Sequence, residues 1–64
     1  MRPKYFVGKS GETSHDDPEE YRVGGWPVFF TYNESNPIER HYNSRFCHYE
    51  DAIEWVNFMN RKKQ

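Results

Sequence analysis

The sequence predicts an α+β domain in which a three-stranded antiparallel sheet is followed by one C-terminal helix packed on one of its faces. Two observations predict this fold. Apolar and aromatic residues alternate with period two before residue 47, and their spacing changes to that of a helix after it. With 64 residues, the chain has room for one small domain, which we assign to residues 1–64.

The first strand is predicted at Lys4–Val7, where aromatic and β-branched residues precede a glycine. Residues 8–20 contain two glycines, one proline and a run of acids, a composition typical of a flexible acidic loop. Residues 21–23 are a short extended candidate before the Gly24-Gly25 break.

The clearest strand is predicted at residues 26–32. Its even positions share one face and its odd positions the other, because side chains alternate along a strand. We expect Trp26, Val28 and Phe30 to form the core with Tyr5 or Phe6. Tyr32 falls on the same face, and Phe29 and Thr31 fall on the other.

A turn is predicted at residues 33–37, which are rich in Asn, Ser and Pro. The returning strand is predicted at residues 38–46, with an outer face that is mainly polar. Its two predicted faces are Ile38, Arg40, Tyr42, Ser44 and Phe46 on one side, and Glu39, His41, Asn43 and Arg45 on the other.

From residue 48 to residue 61 the apolar spacing predicts a helix with one buried face. The predicted buried positions are Tyr49, Ala52, Ile53, Val56 and Met59. Acids in the first turn and bases in the last turn suit the helix dipole. Cys47 falls at the predicted N-cap, and because cysteine caps poorly the helix can start one residue later.

Aromatic residues dominate the apolar content, with five Phe, five Tyr, two Trp and no Leu. A few large rings can build a core where aliphatic residues are scarce. The single cysteine, Cys47, excludes an internal disulfide, and small secreted domains usually carry disulfides. Because no apolar run has the length of a signal peptide or a membrane span, we expect a cytoplasmic protein without a membrane partner.

No pattern in the chain points to catalysis, a cofactor or a metal. Gly8-Lys9-Ser10 resembles the end of a phosphate-binding loop, but the required earlier glycine is replaced by Pro3. Zinc needs three or four ligands at loop spacing, which adjacent Cys47 and His48 do not supply. We therefore expect a protein that is not an enzyme and binds neither a cofactor nor a metal.

The leading hypothesis is a protein-binding modulator, an accessory protein of the phage or mobile-element type that inhibits a larger host enzyme or nucleic-acid-handling complex. Aromatic side chains are frequent interface anchors. On a helical wheel Phe58 falls opposite the apolar stripe, and Trp55 falls on its edge on the same side. The predicted partner-binding residues are Asp16, Asp17, Glu19, Glu20, Trp55 and Phe58, the acids steering the chain toward a basic cleft.

The alternative hypothesis is a small DNA-binding module. The order of three strands and one helix, with the helix start Tyr49-Glu50-Asp51-Ala52, resembles the plant-type AP2 domain and the arm-binding domain of tyrosine recombinases over residues 21–60. That resemblance implies DNA reading by the sheet, with Arg40, Asn43 and Arg45 as candidates for base or phosphate contact. The net charge of −1 favours the protein-binding hypothesis.

Overall fold

The computed structural model describes residues 2–13, 24–36 and 38–62. Its elements are β1 (Lys4–Val7), β2 (Trp26–Thr31), β3 (His41–Phe46) and α1 (Tyr49–Arg61). The strands form one antiparallel sheet in the order β1-β2-β3, and α1 packs against it. The predicted fold class is therefore confirmed, whereas residues 21–23 lie outside the described residues.

The turn between β2 and β3 is longer than predicted. Asn36 donates its backbone N–H to Asn33, and Glu39 donates to Asn36, so hydrogen-bonded turns continue through residue 39. The hydroxyl of Thr31 donates to the carbonyl oxygen of Glu39 at 2.7 Å and anchors this loop. β3 consequently begins at His41 rather than at residue 38, and Ile38 is 87% exposed.

Between the sheet and α1 lies a small core of Val28, Ala52 and Val56. Tyr5 rather than Phe6 packs against it from β1, and Trp26 packs against it from β2. Phe30 is only half-buried, and Tyr32 is 53% exposed. The prediction that Phe30 joins Trp26 and Val28 in the core is wrong, because its ring contacts Tyr5, Tyr32 and His41 at the end of the sheet and lies outside the cluster beneath α1.

Asn60 fixes the end of α1 on the edge strand. Its side-chain oxygen accepts from the backbone N–H of Tyr5 at 2.9 Å, and its side-chain nitrogen donates to the carbonyl of Tyr5 at 3.0 Å. The outer side of an edge strand has backbone N–H and C=O groups that no neighbouring strand pairs. At Tyr5 the side-chain amide of Asn60 satisfies both of these groups.

A β-bulge interrupts the pairing of β2 with β3. Val28 pairs with Ser44 and Phe29 pairs with Tyr42, so Asn43 is the extra residue. The predicted faces hold for Ser44 and Phe46, which follow the bulge. Before the bulge they are reversed, and Tyr42 lies beside Phe29 on the face away from α1.

The face of the sheet away from α1 contains a second apolar cluster. Phe29 is 0% exposed there, with ring centroids 5.9 Å from Phe6 and 6.4 Å from Tyr42. The guanidinium carbon of Arg40 lies 4.2 Å above the Phe29 ring. A Cβ on Gly8 would lie 2.6 Å from that ring, so only glycine fits this approach. The prediction of a mainly polar outer face is wrong.

The buried face of α1 is largely as predicted. Ala52 and Val56 are buried, and Ile53 and Met59 are half-buried. Tyr49 is the exception: it is 48% exposed and contacts Trp26 edge-on, with ring centroids 4.8 Å apart. Because Tyr49 begins the helix and Trp26 begins β2, this contact lies at the end of the sheet rather than in the core.

Candidate binding surface

Three aromatic side chains lie side by side where β3 leads into α1. The rings of Trp55 and Phe58 are stacked, with centroids 5.8 Å apart and planes inclined by 28°. Phe46, the last residue of β3, lies 6.4 Å from Trp55. Residues three apart on a helix are neighbours, so the Trp55–Phe58 contact follows directly from the sequence spacing. We call Phe46, Trp55 and Phe58 the aromatic patch.

The orientation of Trp55 is set by the sheet. Its indole Nε1–H donates to the side-chain oxygen of Asn43 at 2.8 Å, and the hydroxyl of Ser44 donates to the same oxygen at 3.0 Å. Trp55 also packs against the core, and its stacking partner Phe58 is 51% exposed. The patch therefore presents the exposed ring of Phe58 stacked on Trp55, which the sheet holds in place.

Charged side chains surround a shallow groove of about 510 Å³ at the aromatic patch. Asp51, Glu54 and Arg61 line it together with the three rings. Within the part of the chain that the structure describes, none of these three charged side chains forms an ion pair. Two carboxylates and one guanidinium are thus available to a partner, and the acidic end of the groove lies toward the start of α1.

Arg40 and Arg45 stabilise the face away from α1. Arg40 pairs with the Glu12 carboxylate while covering the Phe29 ring. Arg45 donates to the carbonyl oxygens of Gly24 and Glu12, at 2.7 Å and 2.6 Å. The two contacts with Glu12 hold residues 8–13 against the sheet.

Partial burial by itself raises the pKa of Glu12, but its hydrogen bonds and nearby positive charges outweigh that effect. The hydrogen bond from Arg40, the backbone N–H of Lys9 and the charges of both residues together hold the pKa of this carboxyl below its ordinary value. Glu12 is accordingly stabilised as a carboxylate beside Arg40.

The residues of the DNA-binding hypothesis do not form one surface. Asn43 points toward α1 and holds Trp55, whereas Arg40 covers Phe29 on the opposite face. Arg45 donates hydrogen bonds to the backbone carbonyl oxygens of Gly24 and Glu12. Of the protein-binding residues, Trp55 and Phe58 are brought together. The predicted acids Asp16, Asp17, Glu19 and Glu20 lie outside the described residues.

The described residues contain no arrangement suited to metal binding. Across residues 2–13, 24–36 and 38–62, no three His, Cys, Asp or Glu side chains cluster closely enough to hold an ion. Cys47 is an exposed free thiol. No helix in these ranges has the length and apolar character needed to cross a membrane.

Sequence reasoning missed two contributors to the binding surface. The alternation of β3 places Phe46 on one face of its strand but does not predict its contact with Trp55, which follows from its place three residues before α1. The role of Asn43 depends on the bulge, for which the sequence has no clear signal. The chain matches no protein-family model, no curated protein and no solved structure.

Proposed function

We propose that this chain is a non-enzymatic protein-binding modulator that attaches to a larger protein through the aromatic patch. The observation that carries the proposal is the exposed Phe58 ring stacked on Trp55, whose indole is fixed by Asn43. Interface anchors are commonly aromatic, and a ring that is already oriented loses little conformational entropy on binding.

Charge supports a basic partner surface. Asp51 and Glu54 line the groove, and neither forms an ion pair with any residue that the structure describes, so a Lys or Arg of the partner can pair with them. The acids of residues 16–20 add negative charge, which steers association toward a basic cleft. Small size and the lack of a catalytic pattern fit an inhibitor of the phage or mobile-element type, acting on a larger host enzyme or nucleic-acid-handling complex.

The test compares capture of proteins from host lysate by three forms of the intact chain. Wild type and Tyr49→Ala are expected to retain one common protein, and Phe58→Ala is expected to lose it. Tyr49 is the matched control, since it is an aromatic residue of the same helix with nearly the same exposure, 48% against 51%.

Binding kinetics with the purified captured protein then distinguish the contribution of Phe58 to affinity from the contribution of the acidic residues to the association rate. Phe58→Ala should weaken binding by about 2 kcal/mol or more, the scale of an interface hot spot. Reversing the charges of Asp16 and Asp17 should slow association and flatten its salt dependence. Unchanged capture by Phe58→Ala would contradict the proposal.

A further inference from the structure

A row of rings crosses all three strands at the end of the sheet opposite the Trp26–Phe46 pair. Tyr5, Phe30 and His41 are register partners on β1, β2 and β3. The centroids of Tyr5 and Phe30 are 5.4 Å apart, and those of Phe30 and His41 are 5.3 Å apart. Their planes are tilted by only 38° and 33°, so the three rings form a continuous surface.

The ring of Tyr32 packs edge-on against this row. Its ring stands at 89° to Phe30, with centroids 5.9 Å apart, and it lies 6.5 Å from His41. Tyr32 and His41 are both exposed and Phe30 is half-buried between them. We call Tyr5, Phe30, Tyr32 and His41 the aromatic row. Its exposed part is a shallow concave surface in which the rings of Tyr32 and His41 flank that of Phe30.

Positive charge gathers at the β1 end of the aromatic row. The guanidinium of Arg2 donates to the carbonyl oxygen of Asn60 at 2.6 Å, and Asn60 bonds the backbone of Tyr5. Lys62 lies two residues after Asn60 and is exposed. Arg61 lines the groove of the aromatic patch, so the cations we assign to the row are Arg2 and Lys62. The acids nearest in sequence to the opposite end, Glu34 and Glu39, belong to the β2–β3 turn.

We propose that the aromatic row binds single-stranded nucleic acid. Exposed rings on a sheet stack with bases of any sequence, and neighbouring cations hold the phosphates. The charge distribution sets the orientation: the phosphates lie beside Arg2 and Lys62, and the bases lie over Phe30, Tyr32 and His41. Duplex DNA is a poor fit, because its bases are already stacked within the helix.

The aromatic row shares no ring with the aromatic patch of the proposed function. Phe30 and His41 pair at one end of the sheet, whereas Trp26 and Phe46 pair at the other, four residues away along β2. At about 3.3 Å per residue, the two ends are roughly 13 Å apart.

The test is fluorescence anisotropy of the intact chain with labelled oligo-dT and oligo-U of about twelve nucleotides, which exceeds the smallest sites of single-strand binding folds. Tyr32→Ala and His41→Ala should each weaken binding roughly 5- to 150-fold, the range that loss of one stacked base implies. Raising salt from about 50 to about 200 mM should weaken binding by roughly tenfold, as expected for two to three phosphate contacts. Arg2→Gln should reduce that salt dependence.

Tyr49→Ala is the matched control, since its ring is exposed and contacts Trp26 at the other end of the sheet. It should bind oligo-dT as wild type does. Circular dichroism checks that the exposed-site variants stay folded. Three results would overturn the proposal: no binding of either oligonucleotide at low salt, equal affinity for a duplex of the same length, or equal weakening by Tyr49→Ala.

Discussion

The side-chain oxygen of Asn43 accepts a hydrogen bond from the indole of Trp55 at 2.8 Å, which joins an irregularity of the sheet to the exposed face of the helix. Asn43 is the extra residue of the β-bulge and therefore lies outside the regular alternation of β3. A regular strand would alternate Asn43 with Ser44 across the sheet, and the two could not share this contact with Trp55.

Replacing Asn43 with Ala should release Trp55 while leaving the fold intact. The half-buried indole N–H loses its partner, so the free energy of unfolding should fall by about 1–2 kcal/mol. In NMR spectra the Trp55 indole proton should shift and exchange faster with solvent. Asn57→Ala, an exposed site of the same helix, is the control. An unchanged indole resonance in Asn43→Ala would show that the hydrogen bond does not orient Trp55.

The bulge also explains why the two faces predicted for β3 are wrong for the residues before Asn43. Period-two alternation predicts one side of β3 correctly from Ser44 to Phe46, and one additional residue then reverses every position before it. Tyr42 consequently contacts Phe29, and His41 contacts Phe30. No local propensity marks Asn43 as a bulge, because its position depends on how β2 and β3 pair.

Phe29 and Phe30 of β2 should contribute differently to stability. The alternation of β2 predicts that Phe30 contributes more, whereas the burial of the two rings predicts that Phe29 does. Phe29→Ala removes a fully buried ring between Phe6 and Tyr42 and should cost about 3–5 kcal/mol. Phe30 is only half-buried, so Phe30→Ala should cost less. Urea unfolding of both variants measures the difference. A larger loss in Phe30→Ala would mean that the face away from α1 is not a true core.

Charge substitutions on α1 should distinguish Ile53 from Val56. Val56→Asp places a carboxylate among Val28 and Ala52 and should unfold the domain, because a buried unpaired charge is strongly unfavourable. Ile53 is half-buried, and Ile53→Asp can turn its charge toward solvent. It should therefore lower the melting temperature without abolishing the transition. Thermal denaturation followed by circular dichroism tests both, and equal effects would indicate a rotated helix.

Helical spacing predicts much of the candidate binding surface, since Trp55 and Phe58 must be neighbours on any regular helix. It does not predict what lies on either side of them. Phe46 reaches the aromatic patch through the short connection from β3 to α1, and Asn43 reaches it through the bulge. The same limit applies to Arg40, whose ion pair with Glu12 joins residues 28 positions apart.

The Glu12–Arg40 pair should make stability depend on acid in a recognisable way. Because the pKa of Glu12 is lowered in the folded state, its contribution is fully present above the unfolded glutamate pKa of about 4.3 and is lost as pH falls through the folded value. Glu12→Gln should lower stability at neutral pH by on the order of 1 kcal/mol, given partial exposure. The difference from wild type should shrink at about pH 3, as Glu12 becomes protonated. Thermal unfolding from about pH 7 to about pH 2.5 measures this, with Glu34→Gln as the control for losing one exposed carboxylate. A deficit in Glu12→Gln that stays constant to the lowest pH would show that the carboxylate charge is not what holds residues 8–13 against Phe29.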